Sequence, residues 1–130
     1  MTYLLDVNVL LALAHASHAL HDRAEAWVRT LRPGDRLATC AITELGFVRV
    51  APQARLSPDV AGAREILARL ARSKRPAFVR LPDDLGADAL PAWVKTPAQT
   101  TDGHLLALAG AHAARLATFD EGIPGAALIG

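Results

Sequence analysis

Apolar positions along the chain follow two rhythms. Short runs recur at Thr2–Leu5, Arg36–Cys40, Ala77–Leu81, Leu116–Phe119 and Ala126–Ile129. Runs of this length, bounded by turn residues, predict buried strands. Between them lie segments with helical periodicity. Val7–Ala14 is apolar nearly throughout and predicts a buried helix directly after the first strand. From His18 to about Leu31, the residues Leu20, Ala24, Trp27, Val28 and Leu31 fall on one helical face. Pro33-Gly34-Asp35 then marks a turn. Ile42 to about Val50 predicts a third helix. Ser57-Pro58-Asp59 predicts the start of a fourth, with Ser57 as N-cap and Pro58 at the first position, and Leu67 and Leu70 carry its core stripe to about Ser73. Pro82–Gln99 contains Pro82, Pro91 and Pro97, and predicts a loop with one short helix at most. Thr101 is expected to cap a last helix running to about Ala114, with Asp102 in its first turn.

Strands that alternate with helices predict an α/β fold, a parallel sheet of four to five strands with helices on both faces. The chain has 130 residues, enough for one domain over 1–130 with a real core. Hydrophobic residues make up 52% and aromatics 5%, so the core is built from Ala, Leu and Val. That favours helices packed closely on a sheet over an aromatic-rich sandwich. No apolar run reaches the length of a membrane span, and the N-terminus lacks a signal-peptide pattern. Cys40 stands alone and cannot form an internal disulfide, which fits a cytoplasmic protein; its expected role is packing within a strand.

In parallel sheets the site lies at the carboxyl ends of the strands. Four acids stand at the ends of apolar runs: Asp6 and Asp120 each directly follow a strand, and Glu44 and Asp102 lie near the start of a helix. A carboxylate beside apolar sequence is costly unless something compensates it. Each has a structural explanation when taken singly. Asp6 would cap the following helix, Asp102 would complement a helix N-terminus, Asp120 would start a turn, and Glu44 would face solvent. Together they suggest one acidic cleft, and oxygen-only donors select hard cations such as magnesium or manganese. Net charge is +1, from 14 Lys and Arg against 13 Asp and Glu. Without the four candidates nine acids remain, so the rest of the surface is basic. Arg64, Arg69, Arg72, Lys74 and Arg75 cluster on one helix and its exit, either as a solvated face or as a phosphate contact. The histidines do not compete for the site. His18 and His21 lack a third zinc ligand nearby, and His104 and His112 are expected to face outward or to line the helix edge.

The ordered set Leu5-Asp6-Val7-Asn8, Thr43-Glu44, Thr101-Asp102-Gly103-His104-Leu105-Leu106-Ala107-Leu108-Ala109 and Ala117-Thr118-Phe119-Asp120 resembles the motifs of PIN-domain nucleases. Length and arrangement are most similar to the VapC toxins of VapBC toxin–antitoxin pairs. The resemblance implies a PIN-like three-layer α/β/α fold and a magnesium- or manganese-dependent endoribonuclease. Asp6, Glu44, Asp102 and Asp120 match the metal-binding acids of the family. Asn8 matches the polar residue that supports the first Asp, and Thr118 the hydroxyl beside the last. His21, Ala24 and Trp27 also fit a pattern of these toxins. The expected products carry a 5′-phosphate and a 3′-hydroxyl. The implied partners are RNA, a VapB-like antitoxin and a second copy of the chain. The antitoxin is expected to cross an apolar groove around Leu10, Leu13, Leu20 and Trp27 and to reach an Arg or Lys toward the four acids.

Other readings predict different chemistry. A phosphatase or dehalogenase would use Asp6 as a nucleophile, but such sites usually add a second Asp where this chain has Asn8. A PIN-domain nuclease of RNA processing would share the site but need no antitoxin. A non-catalytic RNA- or protein-binding module would not need the complete acidic set.

Overall fold

Successive residues of the central strands face opposite sides of the sheet, and both sides are apolar. Leu4, Ala38 and Leu116 enter one core, while their neighbours Leu5, Leu37 and Ala117 enter the other. This period-two division is what a sheet covered on both faces requires. The computed structural model describes residues 1–130. The strands are β1 (Thr2–Leu5), β2 (Arg36–Thr39), β3 (Ala77–Arg80), β4 (Arg115–Thr118) and β5 (Ala127–Leu128). The helices are α1 (Val7–Ala14), α2 (His21–Arg29), α3 (Ala41–Gln53), α4 (Val60–Ala71) and α5 (Thr100–Ala111).

All pairings are parallel, in the order β3-β2-β1-β4-β5. Helices α1, α3 and α4 cover one face through Val9, Leu10, Leu11, Phe47, Ala51 and Ala63. Helix α5 covers the other through Leu105, Leu108 and Ala109. The result is the expected three-layer α/β/α sandwich with a five-stranded parallel sheet. The chain builds outward from β1 to β3, then returns to place β4 on the other side of β1. The strand order therefore reverses between β1 and β4, and a crevice opens there at the carboxyl ends. No helix is long and apolar enough to cross a membrane.

Several local expectations change. Helix α2 is shorter than its periodicity, because tight turns occupy residues 15–20: the His18 and His21 amides bond to the His15 and His18 carbonyls, and the Leu20 amide to the His18 ring. Asp59, not Ser57, caps α4 by accepting from the Gly62 amide at 2.7 Å. Ser57 is buried and meets His15 Nε2 at 2.9 Å, while His15 Nδ1 lies 2.9 Å from the Leu11 carbonyl. Both bonds are satisfied when Nδ1 carries the proton and Ser57 donates. Thr101 is inside α5 and does not cap it. The chain enters through a single 3-10 turn, Pro97–Gln99, where the Gln99 side-chain Oε1 accepts from the Lys95 and Thr96 amides. A second 3-10 turn lies at Ala87–Ala89, where one short helix at most was expected. Cys40 is fully buried, but it precedes α3 just past the end of β2. His104 does not face outward: it is largely buried and pairs with Asp83 at 2.5 Å. His112 is exposed, and its Nε2 bonds to the Pro82 carbonyl at 2.8 Å. The two histidines thus fasten the segment after β3 onto α5.

Candidate active site

Three of the four acids meet at the β1–β4 crevice. Asp6 directly follows β1, and its amide extends the ladder onto the Ala117 carbonyl at 3.0 Å. One carboxylate oxygen caps α1 by accepting from the Val7 amide at 2.7 Å. The other accepts from the Thr118 hydroxyl at 2.9 Å. Thr118 is almost fully buried, and the same hydroxyl accepts from the Asp120 amide at 3.0 Å. One side chain thus joins the ends of two adjacent strands. Asp120 gives one oxygen to the Gly122 amide at 2.7 Å. The turn and cap explanations for Asp6 and Asp120 are therefore true, and each residue also faces the crevice with remaining acceptor capacity.

Asp102 lies in the first turn of α5. Burial pushes its carboxyl above the ordinary value, and the charges of Asp6 and then Asp120 push it further. No hydrogen bond offsets them. This places the three aspartates within one another's field, as an uncompensated negative cluster. Asp102 is held there by close packing. A Cβ on Gly103 would come within 2.3 Å of Val94 Cγ2 and 3.3 Å of Pro91 Cδ. Asn8, in the first turn of α1, is exposed.

Glu44 is in a different situation. It lies near the start of α3, beyond β2, and both of its oxygens are engaged. Arg80 Nε donates to Oε2 and Nη2 to Oε1, each at 2.9 Å, and the Thr39 hydroxyl donates to Oε2 at 2.7 Å. Burial pushes the Glu44 carboxyl up, but Arg80 and Thr39 together outweigh it and hold the group below its ordinary value. Arg80 was not among the residues expected at the site. Its one trace in the sequence is that it is the single charged residue inside the third apolar run, Ala77–Leu81, and nothing there names its partner.

Beside this pair a cleft of about 560 Å³ opens between α3, α4 and β3, lined by Leu45, Val48, Leu67, Phe78 and Arg64 among others. The apolar groove expected over α1 and α2 differs. Leu10 is fully buried, and Trp27 is half-buried edge-on against Tyr3 at 5.2 Å. The basic cluster also divides. Arg69 pairs with Glu65, Arg64 borders the α3–α4 cleft, and Lys74 and Arg75 join Arg29, Arg32 and Arg36 around a second cleft at the amino ends of β2 and β3.

A model of the PIN domain matches residues 3–127. The chain belongs to the PIN-domain family. Within it the chain is 45% identical over 129 residues to Ribonuclease VapC44 of Mycobacterium tuberculosis, covering 95% of this chain and 89% of the relative. Among solved structures it is similar to VapC20 of Mycobacterium tuberculosis, described as a sarcin–ricin loop cleaving toxin, with a TM-score of 0.68 and 14% identity over 98% of this chain and 99% of that one. It is also similar to VapBC-1 from nontypeable Haemophilus influenzae, with a TM-score of 0.59 and 21% identity over 92% and 87% of the two chains. These two show the fold.

No three His, Cys, Asp or Glu side chains of this PIN domain are grouped so that they could together hold a metal ion. The donor chemistry nevertheless fits a hard divalent cation. All donors are oxygens, and the three aspartates carry surplus negative charge that no cation of the chain neutralises. Magnesium commonly takes one or two carboxylates and keeps waters or substrate phosphates in its other positions, so an open arrangement suits it. The histidines offer no competing site. His21 bonds to the Ala12 carbonyl at 2.7 Å and lies 3.3 Å from Glu25, which ties α2 to the end of α1.

Proposed function

We propose that this PIN domain is a divalent-metal-dependent endoribonuclease toxin silenced by a VapB-type antitoxin. The observation that carries the catalytic reading is the Asp6–Asp102–Asp120 cluster, joined through Thr118 at the sheet's reversal point. Asp6, Asp102 and Asp120 would hold magnesium or manganese, with Glu44 joining when released from Arg80. When bound, the metal supplies an activated water and offsets charge developing on the phosphate and the leaving oxygen. The chain's own residues do the rest. Thr118 fixes the rotamer of Asp6 and the backbone before Asp120, so two carboxylates are oriented before substrate arrives. A carboxylate not fully engaged by metal, Asp102 or Asp120, would align the attacking water or take its proton, and Asp102 has no hydrogen bond competing for its oxygens. Asn8, exposed beside Asp6, is placed to meet RNA. Hydrolysis in this way leaves a 5′-phosphate and a 3′-hydroxyl.

The toxin reading is supported by sequence identity to a VapC ribonuclease and by the similarity of the fold to a VapBC structure. The antitoxin would insert an Arg or Lys among the acids in competition with metal, and the protein would act in the cytoplasm as a homodimer. The α3–α4 cleft, not α1 and α2, offers the open apolar surface for such a segment.

The test is cleavage of a mixed RNA pool by purified protein in magnesium or manganese, with and without EDTA. Cleavage is expected only with metal, and Asp102→Asn should abolish it while leaving the circular dichroism spectrum unchanged. Full activity in Asp102→Asn would refute the assignment. Toxicity is tested separately: expression should arrest growth, and co-expression of a cognate antitoxin should restore it.

A further inference from the structure

The four acids do not share one electrostatic state. Three aspartates face the crevice without a cation, whereas Glu44 is covered by a two-point fork from Arg80. Arg80 closes β3, the edge strand, and its side chain is 69% exposed against 23% for Glu44. An exposed ion pair is weakly held, because water and salt compete for both partners. Thr39 bonds to Glu44 independently, so the carboxylate keeps its orientation when Arg80 leaves.

The guanidinium fork matches a phosphate as well as a carboxylate, and phosphate is the group that RNA brings to this site. A polyanion approaching three bare aspartates meets repulsion, and Arg80 is the cation beside the fourth acid. Arg64 borders the same cleft and adds positive charge on its approach side.

We propose that Arg80 is a charge-exchanging phosphate-binding residue of the RNA site. In the free chain it covers Glu44. With RNA bound, its fork moves to a non-bridging phosphate oxygen beside the scissile bond, and Glu44 is released toward the metal. The exchange replaces one ion pair by two and couples two events: RNA frees a metal ligand, and metal frees a phosphate ligand. This assignment rests on the ribonuclease reading for the identity of the polyanion.

Two measurements test it, and neither depends on cleavage. Manganese binding to the RNA-free protein is followed by electron paramagnetic resonance in the parent, Arg80→Gln and Arg80→Lys. Arg80→Gln should bind manganese several-fold more tightly, because Glu44 is no longer covered. Binding of a fluorescein-labelled single-stranded RNA is followed by anisotropy in EDTA across a salt series. Arg80→Gln should reduce the slope of log K against log salt by roughly 0.7, the share of one phosphate on a single strand. Arg80→Lys should restore the slope without restoring full affinity, since it keeps the charge and loses the fork. Unchanged manganese affinity in a folded Arg80→Gln protein overturns the proposal, and so does an unchanged salt slope. A parent that binds RNA with an Arg80-dependent slope yet never cleaves it would remove the ribonuclease reading and leave Arg80 as a phosphate ligand.

Discussion

Asp102 has burial and two like charges acting against it and no bond in its favour. Its folded-state pKa lies above the unfolded value, so its charged form disfavours the folded state without metal. Below the unfolded value, roughly pH 4, the carboxyl is protonated in both states and no penalty exists. As pH rises past the folded value, the penalty is fully present. Asp102→Asn removes it. In EDTA, the variant is expected to melt above the parent at pH 7.5, and the margin should disappear near pH 4. A parent that melts higher at pH 7.5 would mean that Asp102 is compensated in solution. The same residue shows what the sequence made readable. An acid beside an apolar run stands out because burial penalises it, so the four candidates were visible one by one. Arg80 was not, because its partner lies 36 residues away and an exposed cation resembles any other surface residue.

Helix α5 positions its acid through what packs against its first turn. Gly103 is buried, and any side chain there drives into Val94 and Pro91. Gly103→Ala is thus expected to destabilise the fold and lower cleavage together, by displacing Asp102 one residue away. Overpacking of this kind typically costs about 1–3 kcal/mol, which calorimetry resolves. Gly110→Ala on the same helix is the control, since a Cβ there meets nothing within 4 Å and alanine favours helix. Element existence was readable from periodicity throughout. Caps were not, because Ser, Thr and Asp near a helix start are interchangeable until tertiary contacts choose among them. His15 claims Ser57 and leaves the cap to Asp59. Gln99 and Thr96 shape the entry to α5 and leave Thr101 without that role. The groups that satisfy His104 and His112 lie more than 20 residues upstream, where local sequence gives no hint of them.

At the scale of the whole molecule, the sheet order gathers carboxylates from β1, α5 and β4 into one crevice. A metal bound there links three elements that the sequence keeps far apart, and only the folded chain offers the site. Magnesium should therefore raise the melting temperature by mass action, about 2.7 kcal/mol when the free ion is a hundredfold above its dissociation constant. The gain should vanish in Asp6→Asn and Asp102→Asn. Melting curves that ignore both magnesium and manganese would show that the aspartates are not a metal site. The parallel sheet and its two apolar faces were readable from strand–helix alternation, but the order of the strands was not, because pairing is decided by which faces find cover.

That order carries a temporal consequence. Asp6 is made well before its partner, because the hydroxyl that orients it lies 112 residues later. A growing chain that has not reached β4 holds at most two of the three aspartates on unfinished sheet, with neither Thr118 nor Asp120. The most non-local pairing in the fold is thus also the one that completes the chemistry, and such contacts form late. Chains halted before β4 should therefore be inert toward RNA.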